Sequence, residues 1–133
     1  MEQTYVMLKP DALTRGLTGE IIARIERKGY KILAAKTMLL SEEILREHYA
    51  HLVNFGFFPS LLSFMMSGNV LGMVVEGPSA VLGMRMLMGA TKVEEALPGT
   101  IRGDYAFSTT ENLIHGSDSV ENAQIEIARF FGK

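Results

Sequence analysis

The chain contains no cysteine and no tryptophan, and its acids and bases nearly cancel, leaving a net charge of −2 over 133 residues. Each absence excludes something. Without cysteine there is neither a disulfide framework nor a thiolate metal site, and a reducing compartment, the cytoplasm, is the expectation. Without a basic excess there is no electrostatic footprint for nonspecific nucleic-acid binding, so no nucleic-acid partner is expected. An anionic ligand would have to meet cations gathered in a pocket. Met1-Glu2-Gln3-Thr4 carries an acid and no positively charged run before a long apolar stretch, so neither a signal peptide nor a membrane partner is expected. The familiar phosphate loops, G-x-x-x-x-G-K-S/T and G-x-G-x-x-G, are missing, as are a G-x-S-x-G nucleophile elbow and a zinc helix motif. No repeat, low-complexity segment or linker composition interrupts the sequence. One domain over residues 1–133 is expected, because this length supports one core but is short for two.

What is present is an ordinary globular composition, 47% hydrophobic and 21% charged. Residues 3–8 predict a strand that Lys9-Pro10-Asp11 ends, since Pro10 has no backbone donor. Lys9 then lies at a strand end, where functional side chains often sit; taken alone it reads as a solvated lysine. Ile21, Ile22 and Ile25 predict a helix over 20–28 that Gly29 stops. A second strand follows over 30–40. Ser41 caps a helix expected to reach about residue 53. That helix carries His48, Tyr49 and His51; a metal pair of His48 and His51 is improbable without a third ligand cluster, and Tyr49 reads first as a packing residue.

Phe55, Phe57 and Phe58 crowd an aromatic turn before a short helix at 60–66. They serve either as a hydrophobic plug or as a stacking surface for a planar base. Residues 69–76 are almost wholly apolar and predict a buried central strand. Pro78 suits the first position of the next helix, on which Arg85 is the only charge from Ala80 through Ala90; its partner should be a carboxylate or a phosphate. Met65, Met66, Met73, Met84, Met86 and Met88 read as core or subunit-interface filler. Residues 89–103 predict a long irregular connection, and 105–107 a short extended piece. The order of elements suggests a doubled β-α-β unit, a ferredoxin-like four-stranded antiparallel sheet (βαββαβ, α+β) with helices on one face.

Asn112-Leu113-Ile114-His115-Gly116-Ser117-Asp118-Ser119 is the place for chemistry. It joins a strand end to a helix over 120–131, so the histidine is held on both sides while its ring can face a cleft. A histidine with the ordinary pKa of ~6.5 is mostly neutral at pH 7 and offers a lone pair as nucleophile or base. A lone histidine in a turn is more often structural. Here the separated cations Lys9, Arg85 and Arg102 alter the balance, because cations that neutralise phosphate oxygens beside an unprotonated ring suit phosphoryl transfer.

Three blocks carry a family resemblance: the histidine octet, Leu8-Lys9-Pro10-Asp11, and Pro98-Gly99-Thr100-Ile101-Arg102-Gly103-Asp104. Together, in this order and over nearly the whole chain, they resemble nucleoside diphosphate kinase. The resemblance implies a ferredoxin-like sandwich and ping-pong transfer of a γ-phosphate between nucleoside tri- and diphosphates. It implies His115 as the nucleophile that becomes phosphohistidine, with Lys9, Arg85, Thr91 and Arg102 on the phosphates and Tyr49 close to the transferred group. Phe57 would stack on the base and Asn112 contact the sugar. Glu126 would hold the second nitrogen of His115, with Ser117 supporting that carboxylate. Magnesium would arrive on the nucleotide with few or no protein ligands. A homo-oligomer is implied, hexamer ahead of tetramer. The sequence departs from the family pattern at Glu111, at Phe55-Gly56 and at Lys92-Val93. Two competing expectations are a catalytically weak nucleotide- or protein-binding module on the same fold, and a metal-dependent hydrolase built from His48, His51 and His115.

Overall fold

The structure is a computed structural model and describes residues 1–132. Four strands form one antiparallel sheet: β1 (Glu2–Leu8), β2 (Lys31–Met38), β3 (Val70–Gly77) and β4 (Ile114–Gly116), in the order β2-β3-β1-β4. Seven α-helices connect and cover them: α1 (Pro10–Thr14), α2 (Thr18–Lys28), α3 (Glu42–His48), α4 (Phe58–Met65), α5 (Ala80–Met88), α6 (Ile101–Tyr105) and α7 (Val120–Phe131). This is the expected ferredoxin-like α/β arrangement, with additional helices.

The helices lie on both faces of the sheet, not on one. The cause is visible in β1, where every residue from Thr4 to Leu8 is buried. Alternate side chains of a strand point to opposite faces. Val6 and Leu8 pack with Met73 and Val75 of β3, with Ile21 and Ile25 of α2, and with Met84 and Met88 of α5. Tyr5 and Met7 pack on the other side with Leu45 of α3, Met65 of α4 and Phe130 of α7. Tyr5 stacks on Phe130 with ring centroids 4.7 Å apart. A strand buried on both faces needs a helical layer over each.

Several local expectations are corrected. Pro10 does more than stop a strand: it begins α1, with Lys9 as the N-cap residue. The helix after Ser41 ends at His48, and a 3-10 turn at Ala50–Leu52 follows. Pro78 lies outside α5, which begins after Ser79 in a left-handed conformation (φ 48°). The segment expected to be irregular holds a 3-10 turn at Val93–Glu95 and the first three residues of α6, and the expected extended piece is no strand, its first residue, Tyr105, ending that helix. Thr100 caps α6 by accepting from the Gly103 N–H at 2.9 Å. Met65, Met73, Met84 and Met88 are buried, whereas Met66 and Met86 are exposed.

Candidate active site

Strand pairing sets the position of the histidine. In the short strand β4, His115 lies opposite Met7, with Ile114 opposite Leu8 and Gly116 opposite Val6. Just before this strand the chain makes a strained turn. Leu113 has φ 78°, and the Ile114 N–H donates to the Asn112 carbonyl at 2.9 Å, closing a three-residue γ-turn of the rare positive-φ form. The surroundings hold it there: Leu113 is fully buried, and its carbonyl accepts from the Lys9 N–H at 2.8 Å. The same turn orients three functional groups at once, because Asn112, His115 and the end of β1 are tied together.

Nε2 of His115 lies 2.8 Å from Oε1 of Glu126 on α7. The Ser117 hydroxyl donates to that oxygen at 2.7 Å. Burial alone would raise the Glu126 carboxyl, but the bonds and charge from His115 and the Ser117 bond outweigh it and hold it below the usual range. An ionised carboxylate only accepts, so the proton of a neutral His115 ring belongs on Nε2 and the lone pair on Nδ1.

The cations differ in depth. Lys9 is buried, and its Nζ donates to Oδ1 of Asn112 at 2.8 Å. Burial first, and the Arg102 charge second, push this ammonium down to about 8. It is therefore not the solvated lysine that its place in the sequence suggests. Arg102, on α6, is also buried. It donates to the carbonyls of Gly89 (2.9 Å), Ile114 (2.6 Å) and Asn112 (3.4 Å). Burial, with Arg85 nearby, pushes it down to about 10. Gly89 has φ 89°, and a Cβ there would run into the Thr100 side chain, so glycine is required where its carbonyl meets Arg102. Arg85 stands exposed on α5, with one weak bond to the Gly116 carbonyl at 3.3 Å and no ion pair among the described residues.

These groups line one cleft of about 920 Å³. All the expected site residues except Ser117 line it: Lys9, Tyr49, Phe57, Arg85, Thr91, Arg102, Asn112, His115 and Glu126; Ser117 lies just behind, bonded to Glu126. The aromatic turn divides its labour. Phe58 is core, while Phe57 stands half exposed at the cleft edge, edge to face with Phe55 at 5.4 Å. Tyr49 is both packing residue and cleft wall: it is buried, and burial raises its phenol further above its ordinary range.

Sequence reasoning gave Arg129 no role, put His48 beside His115 only in the hydrolase reading and named Asp118 only as part of the histidine stretch, yet all three line the cleft. Arg129 could have been suspected, being three residues beyond Glu126 on one helix and so on the same face. The histidine pair expected as a metal possibility is not formed. His51 is exposed, and the group that gathers is His48, His115 and Glu126, with one ligand atom of each within 4.8 Å of the others. Arg129 Nη1 lies 2.9 Å from Nδ1 of His48, so His48 would have to put its proton against a donor in order to free Nε2 for a metal.

The family model described as nucleoside diphosphate kinase matches residues 2–133. The nucleoside diphosphate kinase of Thermus thermophilus is 55% identical over 131 residues, covering 98% of this chain and 96% of that protein. That of Symbiobacterium thermophilum is 51% identical over 133 residues, covering 100% and 89%. Among solved structures, the apo nucleoside diphosphate kinase of Encephalitozoon cuniculi superposes with a TM-score of 0.97 at 48% identity, covering 100% of this chain and 90% of that one. The Halobacterium salinarum nucleoside diphosphate kinase in complex with CDP gives 0.95 at 48% identity, covering 99% and 88%. A buried cation pair, a carboxylate-held histidine and an aromatic cleft edge thus stand on the fold and in the sequence pattern of one enzyme family, and the chain belongs to the nucleoside diphosphate kinases.

Proposed function

We propose that this kinase works by ping-pong through a phosphohistidine on His115. The observation that supports it best is the 2.8 Å bond from Nε2 to Glu126, which leaves Nδ1 as the free lone pair. That lone pair attacks the γ-phosphorus of a nucleoside triphosphate. A nitrogen–phosphorus bond forms as the bond to the β–γ bridging oxygen breaks, and the diphosphate leaves with the electron pair. Nε2 keeps its proton, so the phosphorylated ring is cationic, and the Glu126 carboxylate lies opposite that charge. A terminal oxygen of a second diphosphate then attacks the phosphorus and returns the ring to neutrality.

Lys9, Arg85, Thr91 and Arg102 hold the phosphates in this reading. Tyr49 stands beside the transferred group, Ser117 steadies Glu126, Asn112 meets the sugar and Phe57 stacks on the base. Stacking without hydrogen-bond readout tolerates any base. Magnesium enters on the nucleotide. The cleft fits this: Glu126 is engaged by His115 and Ser117, and Asp118 is bonded to Asn122 at 2.6 Å, so few oxygens remain for an ion that demands six. When bound, the ion would supply positive charge against the charge that develops on the phosphates. One domain over residues 1–133, a cytoplasmic setting and a homo-oligomer, hexamer ahead of tetramer, complete the proposal. No described helix is long and apolar enough to cross a membrane.

Incubation of the purified chain and of His115→Ala with γ-labelled ATP and magnesium tests the mechanism. Label that is acid-labile, alkali-stable, absent from the variant and chased onto added diphosphate is the expected result. Label retained by His115→Ala would move the carrier elsewhere.

A further inference from the structure

His48 is a polar group beside His115 that the mechanism leaves unused. It ends α3 with only 7% of its surface exposed. Its Nδ1 lies 2.9 Å from Nη1 of Arg129, whose Nε donates to Glu47 at 3.2 Å. A guanidinium has donors and no acceptor, so Nδ1 accepts, and the neutral ring carries its proton on Nε2. Among the described residues that buried nitrogen has no hydrogen-bond partner. Burial, and then the nearby His115, push the ring down to about 3, with Glu126 opposing and Arg129 and Lys9 adding to the effect; it stays neutral at ordinary pH. The rings of His48 and His115 meet edge to face, with centroids 4.7 Å apart and planes at 77°.

A buried donor without an acceptor is rare because it has lost water and gained nothing. A phosphoryl group on His115 would bring three anionic oxygens into this neighbourhood. A donor that finds its acceptor only when the phosphoryl group arrives favours the transition state and phosphoenzyme over the free enzyme. Resting on the reading of His115 as phosphate carrier, we propose that Arg129 locks His48 in the Nε2–H tautomer and that this N–H donates to the phosphoryl group on His115. No proton changes hands. His48 is then a catalytic residue that touches the transferred group, and Arg129 is a positioning residue acting through it.

His48→Phe keeps a planar ring and removes the donor; His48→Gln offers an amide N–H at similar reach. Rapid-quench phosphorylation with γ-labelled ATP and magnesium should slow by about tenfold to a hundredfold in His48→Phe, in kcat more than KM, and recover most of that loss in His48→Gln. Nitrogen-15 NMR of the wild type at pH 7 should show a protonated Nε2 and a bare Nδ1 on His48; Arg129→Met should show both tautomers. A His48→Phe variant that melts and transfers like wild type would reduce His48 to packing and overturn the proposal. So would a wild-type His48 protonated on Nδ1. Should His48→Phe not fold, the tautomer and the His48→Gln rate decide: a bare Nε2, or a glutamine variant slowed a hundredfold, ends the idea. Label persisting in His115→Ala would instead sink the carrier reading, which the tautomer measurement does not depend on.

Discussion

The two ends of the cleft are built differently. At the His115 end Lys9, Arg102 and Asn112 are buried, and every one is bonded to backbone or to another of the three. At the open end Phe57 is about half exposed and touches Phe55, itself half exposed. One end is pre-arranged before any ligand arrives; the other is an apolar surface left open. The difference matches what each end would meet. Phosphate charge is the same in every nucleotide, and preorganised donors act most strongly where water is excluded. Bases vary, and an open aromatic face accepts any of them.

The contrast can be broken most sharply at Arg102. Arg102→Ala orphans three carbonyls as well as removing charge, so it should cost both stability, by about 3 kcal/mol, and activity, by roughly a thousandfold in kcat/KM. A urea titration beside steady-state kinetics reads both. A variant as stable as wild type would deny that this end is pre-arranged. Arg85 makes the complementary case. It is exposed and weakly tied, so Arg85→Ala should leave the melting temperature within a degree or two while lowering kcat/KM by roughly tenfold to a hundredfold. An unchanged kcat/KM would remove Arg85 from the site.

Lys9 sharpens the contrast through pH. Its ammonium is pushed down to about 8, so in the free enzyme kcat/KM should fall as pH rises through that value, about tenfold per unit above it. The sign for stability is opposite. Between about 8 and the ordinary 10.5 the unfolded chain binds more protons at Lys9 than the folded one, so this group's contribution to stability rises with pH there. A flat alkaline limb in kcat/KM would show that Lys9 stays charged. The smallest effect belongs to the open end. Phe57→Ala should raise KM by about tenfold, nearly equally for purine and pyrimidine diphosphates, with little change in kcat. A loss confined to one base class would mean that this end reads identity after all.

Legible from the residues alone was whatever local chemistry writes into a short stretch. The strands at β1 and β3 are legible because apolar, β-branched runs have few alternatives. Gly29 does stop α2, with φ 107°, and Ser41 does cap α3, accepting from the Ile44 N–H at 3.3 Å. α1 and α6 were not legible as helices: each has five residues, too short to repay the cost of nucleation without packing from elsewhere. His48 was misplaced for a related reason. Local spacing offers two histidines three apart on one expected helix; the end of α3 at His48 and the approach of α7 separate the buried one from exposed His51 in the following 3-10 turn.

The sequence by itself determined the family and the set of groups from which a phosphoryl-transfer site could be made, because motif spacing along a chain is local information. Tertiary structure alone decided how those groups are charged and paired. The depression of Lys9, the embedding of Arg102, the helices on the second face of the sheet and the contact of Arg129 with His48 all join residues distant in sequence. Burial and hydrogen-bond pairing depend on what the rest of the fold brings alongside, and no spacing rule within one segment encodes that.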